Sequence, residues 1–236
     1  TLVWFAVTFW VYLETKSVIA TSVMAGVYTV TVAFSGFWLG SLVDRYPKKT
    51  AMLFSSLASL VLFTLALIVY NAAPPAEFAD ASSPLLWAFI VLTLVGAIVG
   101  NLRGIAVSTL VTIMVAEGQR DKANGLVGTA TGVSFLVASI LSGLAIGFLG
   151  VSGMMIGAII VMALVIVHLW TLAIPQRAAS PTDAETHSID IRGSIRAIQA
   201  VPGLFGLIFF HTFNNFLAGV FMSLMDAYGL ELVSVE

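Results

Sequence analysis

The chain has no cysteine, which excludes disulfides, thiolate metal sites and cysteine nucleophiles. Charge is almost as scarce. Asp, Glu, Lys and Arg make up 9% of the residues, against roughly 25% in an average soluble domain. Histidine occurs three times at scattered positions, which is not a metal-binding set. A net charge of −2 leaves no electrostatic footprint for nucleic acid. Neither a phosphate-binding Gly-Lys-Ser/Thr motif nor His-Glu-x-x-His occurs. The sequence therefore offers no case for an enzyme, and no cofactor is expected. No basic stretch precedes the first apolar run, so no signal peptide is expected.

What is present is hydrophobic. Apolar residues make up 59% of the chain and the mean hydropathy is +1.05. A water-soluble fold cannot hide that much apolar surface, so a lipid bilayer must cover it. Seven apolar segments stand out, at residues 2–13, 20–40, 50–70, 85–115, 125–149, 153–174 and 203–225. Lipid offers no hydrogen bonds, so uninterrupted runs of this length are read as helices. They do not alternate in polarity, which argues against a membrane β-barrel. The first segment would be only about 18 Å long as a helix, short of the roughly 30 Å hydrocarbon core. It reads as truncated, and the chain as a fragment of a longer protein.

The rare charges are sorted by side. Arg45, Lys48 and Lys49 follow the second segment, Arg120 and Lys122 the fourth, and Arg177, Arg192 and Arg196 the sixth. The alternate joints hold Lys16 alone among basic residues, with Glu14, Glu77 and Asp80. The positive-inside rule places the basic joints in the cytoplasm. The longest polar stretch separates the sixth and seventh segments. Residues 176–187 read as a flexible linker. Residues 188–199 carry Ile191, Ile195 and Ile198 on one helical face beside Arg192 and Arg196. That pattern fits a helix lying on the membrane surface or one packed on protein, and both readings stay open. The expected organisation is a six-helix block at 1–175, a linker with an amphipathic helix at 176–202, and a further helix at 203–236.

Residues 40–49 read Gly-Ser-Leu-Val-Asp-Arg-Tyr-Pro-Lys-Lys between two apolar runs. So short a joint forces the flanking helices to run antiparallel. Arg103 is the only basic residue deep inside an apolar segment and follows Asn101 closely. A charge at mid-helix costs about 2.5–3.5 kcal/mol even on insertion scales. It lies about 18 Å from the cytoplasmic end of its helix, a long reach for snorkelling. Ser134, Ala138, Ser139, Ser142 and Gly143 continue a stripe of small residues that begins with Gly125, Gly128 and Gly132, suited to close helix packing. His211, Asn214 and Asn215 share one face of the seventh segment and read as interhelix hydrogen bonds or a substrate surface. His168 and Glu14 lie near segment ends, where structural or topological roles are the simpler reading.

The decapeptide resembles the signature loop between helices 2 and 3 of major facilitator superfamily transporters, Gly-x-Leu-Ala-Asp-Arg-x-Gly-Arg-Lys. Gly40, Leu42, Asp44, Arg45, Lys48 and Lys49 match it, and Pro47 stands where the second Gly would be. The tract Arg120-Asp-Lys-Ala-Asn-Gly-Leu-Val-Gly128 is similar to the macrolide-efflux and siderophore-exporter branch. The small-residue slots resemble the antiporter signature of helix 5 without its Pro. The resemblance implies an all-α membrane fold, an N-terminal six-helix bundle plus the first helix of a second half. It implies a secondary-active exporter of drugs or small amphipathic metabolites, driven by proton antiport in a bacterial inner membrane. Asp44 would accept charge pairs from Arg45 and Lys49 at a cytoplasmic gate closed against the remaining C-terminal half. Arg103, Asn101 and the polar face of helix 7 would line a midplane cavity, with Arg103 pointing between helices 1, 4 and 5. A siderophore or lysophospholipid carrier, or a polytopic subunit without transport, are the alternatives.

The charge pattern is directly testable in cells. A cysteine at Ser41 or Lys48 is expected to react with a charged maleimide only from the cytoplasmic side. Labelling of either site from outside intact cells would reverse the topology.

Overall fold

The computed structural model describes residues 2–174 and 191–232, and the only regular structure among them is helix. The order is α1 (Leu2–Thr15), α2 (Val18–Arg45), α3 (Lys48–Ala72), a short α4 (Pro75–Ala79), α5 (Pro84–Met114), a 3₁₀ turn (Glu117–Gln119), α6 (Arg120–Thr171), α7 (Ile191–Ala200) and α8 (Leu204–Leu232). The architecture is all-α, as read from the sequence. Two compact units divide the chain, residues 1–177 and 178–236. The expected linker at 176–187 lies outside the described residues.

Hydrogen bonds fix the path of the first unit. Ser55 Oγ donates to the Val99 carbonyl at 2.7 Å and Ser59 Oγ to the Gly96 carbonyl at 2.8 Å. Rising numbers on α3 meet falling numbers on α5, so the two run antiparallel. Lys49 meets Trp170 while Ser152 bonds Asn71. The second arm of α6 is therefore antiparallel to α3 as well. The first arm lies beside α1, where Phe5 meets Phe135 edge-on at 4.9 Å. A helix of 52 residues would be about 78 Å long if straight, more than twice the roughly 30 Å hydrocarbon core. It is not straight. Gly150 sits at φ 66°, ψ −177°, a region essentially reserved for glycine, and the chain doubles back there. The expected segments 125–149 and 153–174 are thus the two arms of one element.

Among the described residues, four helices are long and apolar enough to cross a bilayer: Val18–Gly36 within α2, Lys48–Ala72, Pro84–Met114 and the folded Glu117–Thr171. Leu2–Thr15 and Leu204–Gly219 are apolar but shorter. One end of the first unit gathers Arg45, Lys48, Lys49, Arg120 and Lys122. The other gathers Glu14, Glu77 and Asp80, whose carboxyl is held below its usual range by the hydroxyl and amide of Ser82.

Two apolar clusters fill the unit. At the acidic end Trp10, Phe78 and Phe89 are buried around Tyr70, with Trp10 to Phe89 at 5.3 Å and Tyr70 to Phe78 at 4.9 Å. The small α4 exists to seat Phe78 there, and Trp10 Nε1 donates outward to Glu14 Oε1 at 3.0 Å. At the basic end Val43, Ala51, Met52, Leu102, Ala106 and Leu169 pack together. Between these clusters α3 and α5 approach closely. A Cβ on Gly96 would lie 2.6 Å from Phe63 Cε1. The outward faces of α2 and α3 stay apolar and exposed, including Phe34, Trp38, Phe54 and Leu57. Such faces require a nonaqueous neighbour.

The α3–α5 contact is open to a stability test. Gly96→Ala pushes a methyl into the buried Phe63 ring and is expected to cost about 1–3 kcal/mol. Ser59→Ala removes one interhelical hydrogen bond, worth about 0.6 kcal/mol in comparable membrane proteins. Unfolding in mixed micelles measures both. Equal costs would mean that α3 and α5 do not approach as closely as this geometry requires.

Candidate functional site: the basic helix joint and a mid-membrane arginine

The charged joint at residues 40–49 is mostly helical. α2 continues through Gly40 to Arg45 and α3 starts at Lys48, so the expected boundaries at residues 40 and 50 are corrected. Only Tyr46 and Pro47 are non-helical. Nothing in Ser-Leu-Val-Asp-Arg stops a helix whose Val43 is fully buried. Pro47 stops it, because a proline ring forces the preceding residue out of the helical region. Tyr46 accordingly sits at φ −105°, ψ 154°, while its N–H still donates to the Leu42 carbonyl at 3.2 Å. Pro47 therefore makes this turn in place of the glycine in the motif.

Three basic side chains close three helix ends here. The Lys48 ammonium donates to the Val43 carbonyl at the end of α2. Lys49 Nζ donates to the Trp170 carbonyl at 2.8 Å and the Leu172 carbonyl at 2.7 Å, at the end of α6. Arg120 Nε donates to the Val115 carbonyl at 3.2 Å, at the end of α5. A helix C-terminus carries about half a negative charge and unpaired carbonyls, so cations are favoured there. Lys49 is thus engaged by α6 rather than by Asp44, which corrects the expected pairing. Asp44 and Arg45 are exposed at the last turn of α2, Gly40 has open space beside its Cα, and Leu42 packs on the basic-end cluster.

Arg103 is half-buried and does not point where the sequence reading placed it. Its Nη1 donates to Ser56 Oγ at 3.3 Å and to Met162 Sδ at 3.5 Å. The guanidinium therefore lies among α3, α5 and the second arm of α6. The expected space between helices 1, 4 and 5 is corrected to that between the third, fourth and sixth passes. The cause is local. Helical side chains lean toward the N-terminus of their helix, and the turn before Arg103 carries Gly100. A Cβ on Gly100 would sit 3.0 Å from Arg103 Nη2 and 3.6 Å from Ser59 Oγ. The missing side chain gives the guanidinium its seat. Asn101 is half-buried and stands about 200° around the helix from Arg103. The two do not share a face.

The other expected residues are placed differently. Ser134 and Ser139 are exposed, Ala138 and Gly143 half-buried, and only Ser142 is buried, donating to the Ser139 carbonyl at 2.7 Å. Cβ atoms on Gly125, Gly128, Gly132 or Gly143 would meet nothing within 4 Å. Along most of its length this stripe makes no close helix contact among the described residues. In the second unit His211, Asn214 and Asn215 are all exposed, and Asn215 Nδ2 donates to the His211 carbonyl at 2.8 Å. His168 is exposed, and its carbonyl accepts from Thr171.

The sequence reading missed the close approach of α3 and α5. Ser55, Ser56 and Ser59 are fully buried; Ser59 lies against Gly96 and Gly100, Ser55 bonds the Val99 carbonyl and Ser56 accepts from Arg103. The signal was available: Gly96, Gly100 and Gly104 recur every four residues, as do Ser55 and Ser59. Small residues at that spacing are the usual mark of close helix approach in lipid.

The family model described as Major Facilitator Superfamily matches residues 1–235. Neither the curated proteins nor the solved structures contain a match to the chain. The match spans nearly the whole chain, and its helices, its sided charges and its Pro47 joint fit a multi-pass transporter, so the chain belongs to the major facilitator superfamily and is an integral membrane protein.

Proposed function

We propose that the chain forms the first six-helix block, and the start of a second, of a secondary-active exporter in a bacterial cytoplasmic membrane. Its cargo is a drug-like or small amphipathic metabolite, and protons moving inward drive export. The carrying observation is the joint itself: Asp44 and Arg45 stand exposed at the end of α2, one residue from a proline-set turn, where the superfamily's gate motif belongs. The tract at residues 120–128 supports the macrolide-efflux and siderophore-exporter branch. Alternating access follows by rocking the two halves about a midplane site. In that scheme Asp44 offers an acceptor to the second half, while Lys48 and Lys49 hold the helix ends that carry it.

A siderophore or lysophospholipid carrier is the second reading. The mid-depth Arg103, with no carboxylate in the spans of the first unit, favours a cargo that carries negative charge. The transport reading is tested by reconstituting the full-length protein in vesicles holding a pH-sensitive dye. Candidate cargo added against its gradient is expected to move protons in the opposite direction. Absence of cargo-dependent proton flux would remove antiport.

The joint separates gating from structure by two substitutions. Asp44→Asn is expected to lower transport at least about tenfold, the loss of one charge-assisted hydrogen bond, with insertion unchanged because acidic residues contribute little to topology. Lys49→Gln removes a helix-end contact and is expected to cost about 0.3–1 kcal/mol in stability. Normal transport by Asp44→Asn would reduce the joint to a topology signal.

A further inference from the structure

From residue 191 to residue 225 the sequence holds no Asp or Glu, and its only Lys or Arg residues are Arg192 and Arg196. Both belong to α7. Asp183, Glu185 and Asp190 all precede that helix in the sequence. On an α-helix, positions 191, 195 and 198, all Ile, fall within an arc of about 60°. Positions 192 and 196 stand on the flank of that arc, about 90° and 130° from its middle. Position 200, an Ala, lies almost opposite, about 170° away. An apolar stripe edged by cations is the pattern of a helix that lies in a membrane surface.

The joint to α8 limits where α7 can lie. α7 ends at Ala200 and α8 begins at Leu204. Pro202 has no N–H with which to continue the first helix. Gly203 turns the chain at φ 82°, a conformation that glycine adopts without strain. Three residues reach at most about 10 Å. α8 is apolar from its first turn, with Phe205, Leu207, Phe209 and Phe210 exposed. Such a face belongs in hydrocarbon, so the end of α7 is tethered within about 10 Å of the bilayer core. The stripe is available there. Ile195 is 48% exposed, Arg196 is exposed and Ile198 is half-buried. The positive-inside rule places Arg192 and Arg196 in the cytoplasm, like the other basic joints. The leaflet they meet on that side carries negative headgroups.

We propose that α7 docks on the cytoplasmic face of the bilayer and binds anionic phospholipid there. The isoleucine stripe enters the interface, and Arg192 and Arg196 pair with lipid phosphates. A guanidinium fork matches phosphate oxygens bidentately. The long stem of an arginine lies along apolar surface while its head reaches the headgroups. Packing of the same stripe on protein would bury Ile195 with no call for cations at its edge. Each arginine close to an anionic leaflet multiplies the docked population by about five. The pair therefore favours anionic over neutral lipid by about twenty-five-fold. This goes beyond transport and holds whatever the cargo.

The test reads the position of α7 directly. The full-length protein is reconstituted in nanodiscs of phosphatidylcholine, alone or in equal mixture with phosphatidylglycerol. An environment-sensitive fluorophore is attached through Ile195→Cys or, on the opposite face, Ala200→Cys. In the anionic mixture the probe at 195 is expected to be quenched by lipids spin-labelled near the headgroup and shielded from aqueous acrylamide. The probe at 200 is expected to show the reverse. The ratio of docked to undocked lifetimes at 195 is expected to fall about twenty-five-fold in phosphatidylcholine alone. The pair Arg192→Gln and Arg196→Gln is expected to produce the same fall in the anionic mixture. A probe at 195 reached by neither quencher would mean that α7 packs on protein, and one reached by acrylamide would mean a solvated helix. Either result overturns the proposal. So does an equal ratio in the two bilayers. That comparison keeps both arginines, so it decides the matter even if the double variant misfolds.

Discussion

Lipid supplies no hydrogen bonds, and this constraint organises the molecule. Each helix can satisfy its own interior backbone but not the last carbonyls at its C-terminus. In the first unit those carbonyls, on α2, α5 and α6, meet Lys48, Arg120 and Lys49. The charges that sort the two ends of the protein are therefore also the groups that finish its helices. Topology signal and structural cap are one set of side chains. A lysine lodged against two carbonyls of a distant helix also fixes which helix ends lie side by side.

The interior obeys the same rule with smaller groups. Buried serines on α3 bond carbonyls of α5 that already serve the helix ladder. Glycines opposite them let the backbones approach. Neither the hydroxyls nor the glycines contribute much area. Their value is the short distance they allow, since dispersion and hydrogen bonding, rather than the hydrophobic effect, hold helices together in lipid. Arg103 depends on this arrangement. Without Gly100 there would be no seat, and without Ser56 no uncharged acceptor.

The helices and the charged joint were legible because their signals are local. A run of apolar residues has one stable conformation in lipid, and Pro47 announces its turn by its own ring. Helix ends were less legible: residues 41–45, with Asp44 and Arg45 among them, looked like loop, yet leucine, valine and arginine continue a helix until something breaks it. The direction of Arg103 was not legible, because the residues around it are spread over three helices. Ser56, Gly100 and Met162 are far apart in the chain, and only packing unites them. The small stripe at residues 125–143 failed in the opposite way. Its pattern permits close packing, but a pattern cannot say which neighbour is there to use it.

Gly150 has a consequence for assembly. One residue joins two full passes of α6, so no soluble loop separates them. The insertion machinery would receive the 52 residues as a single hairpin, its second arm committed by the first. The tip of that hairpin must cross the bilayer once, carrying neither charge nor side chain at its apex.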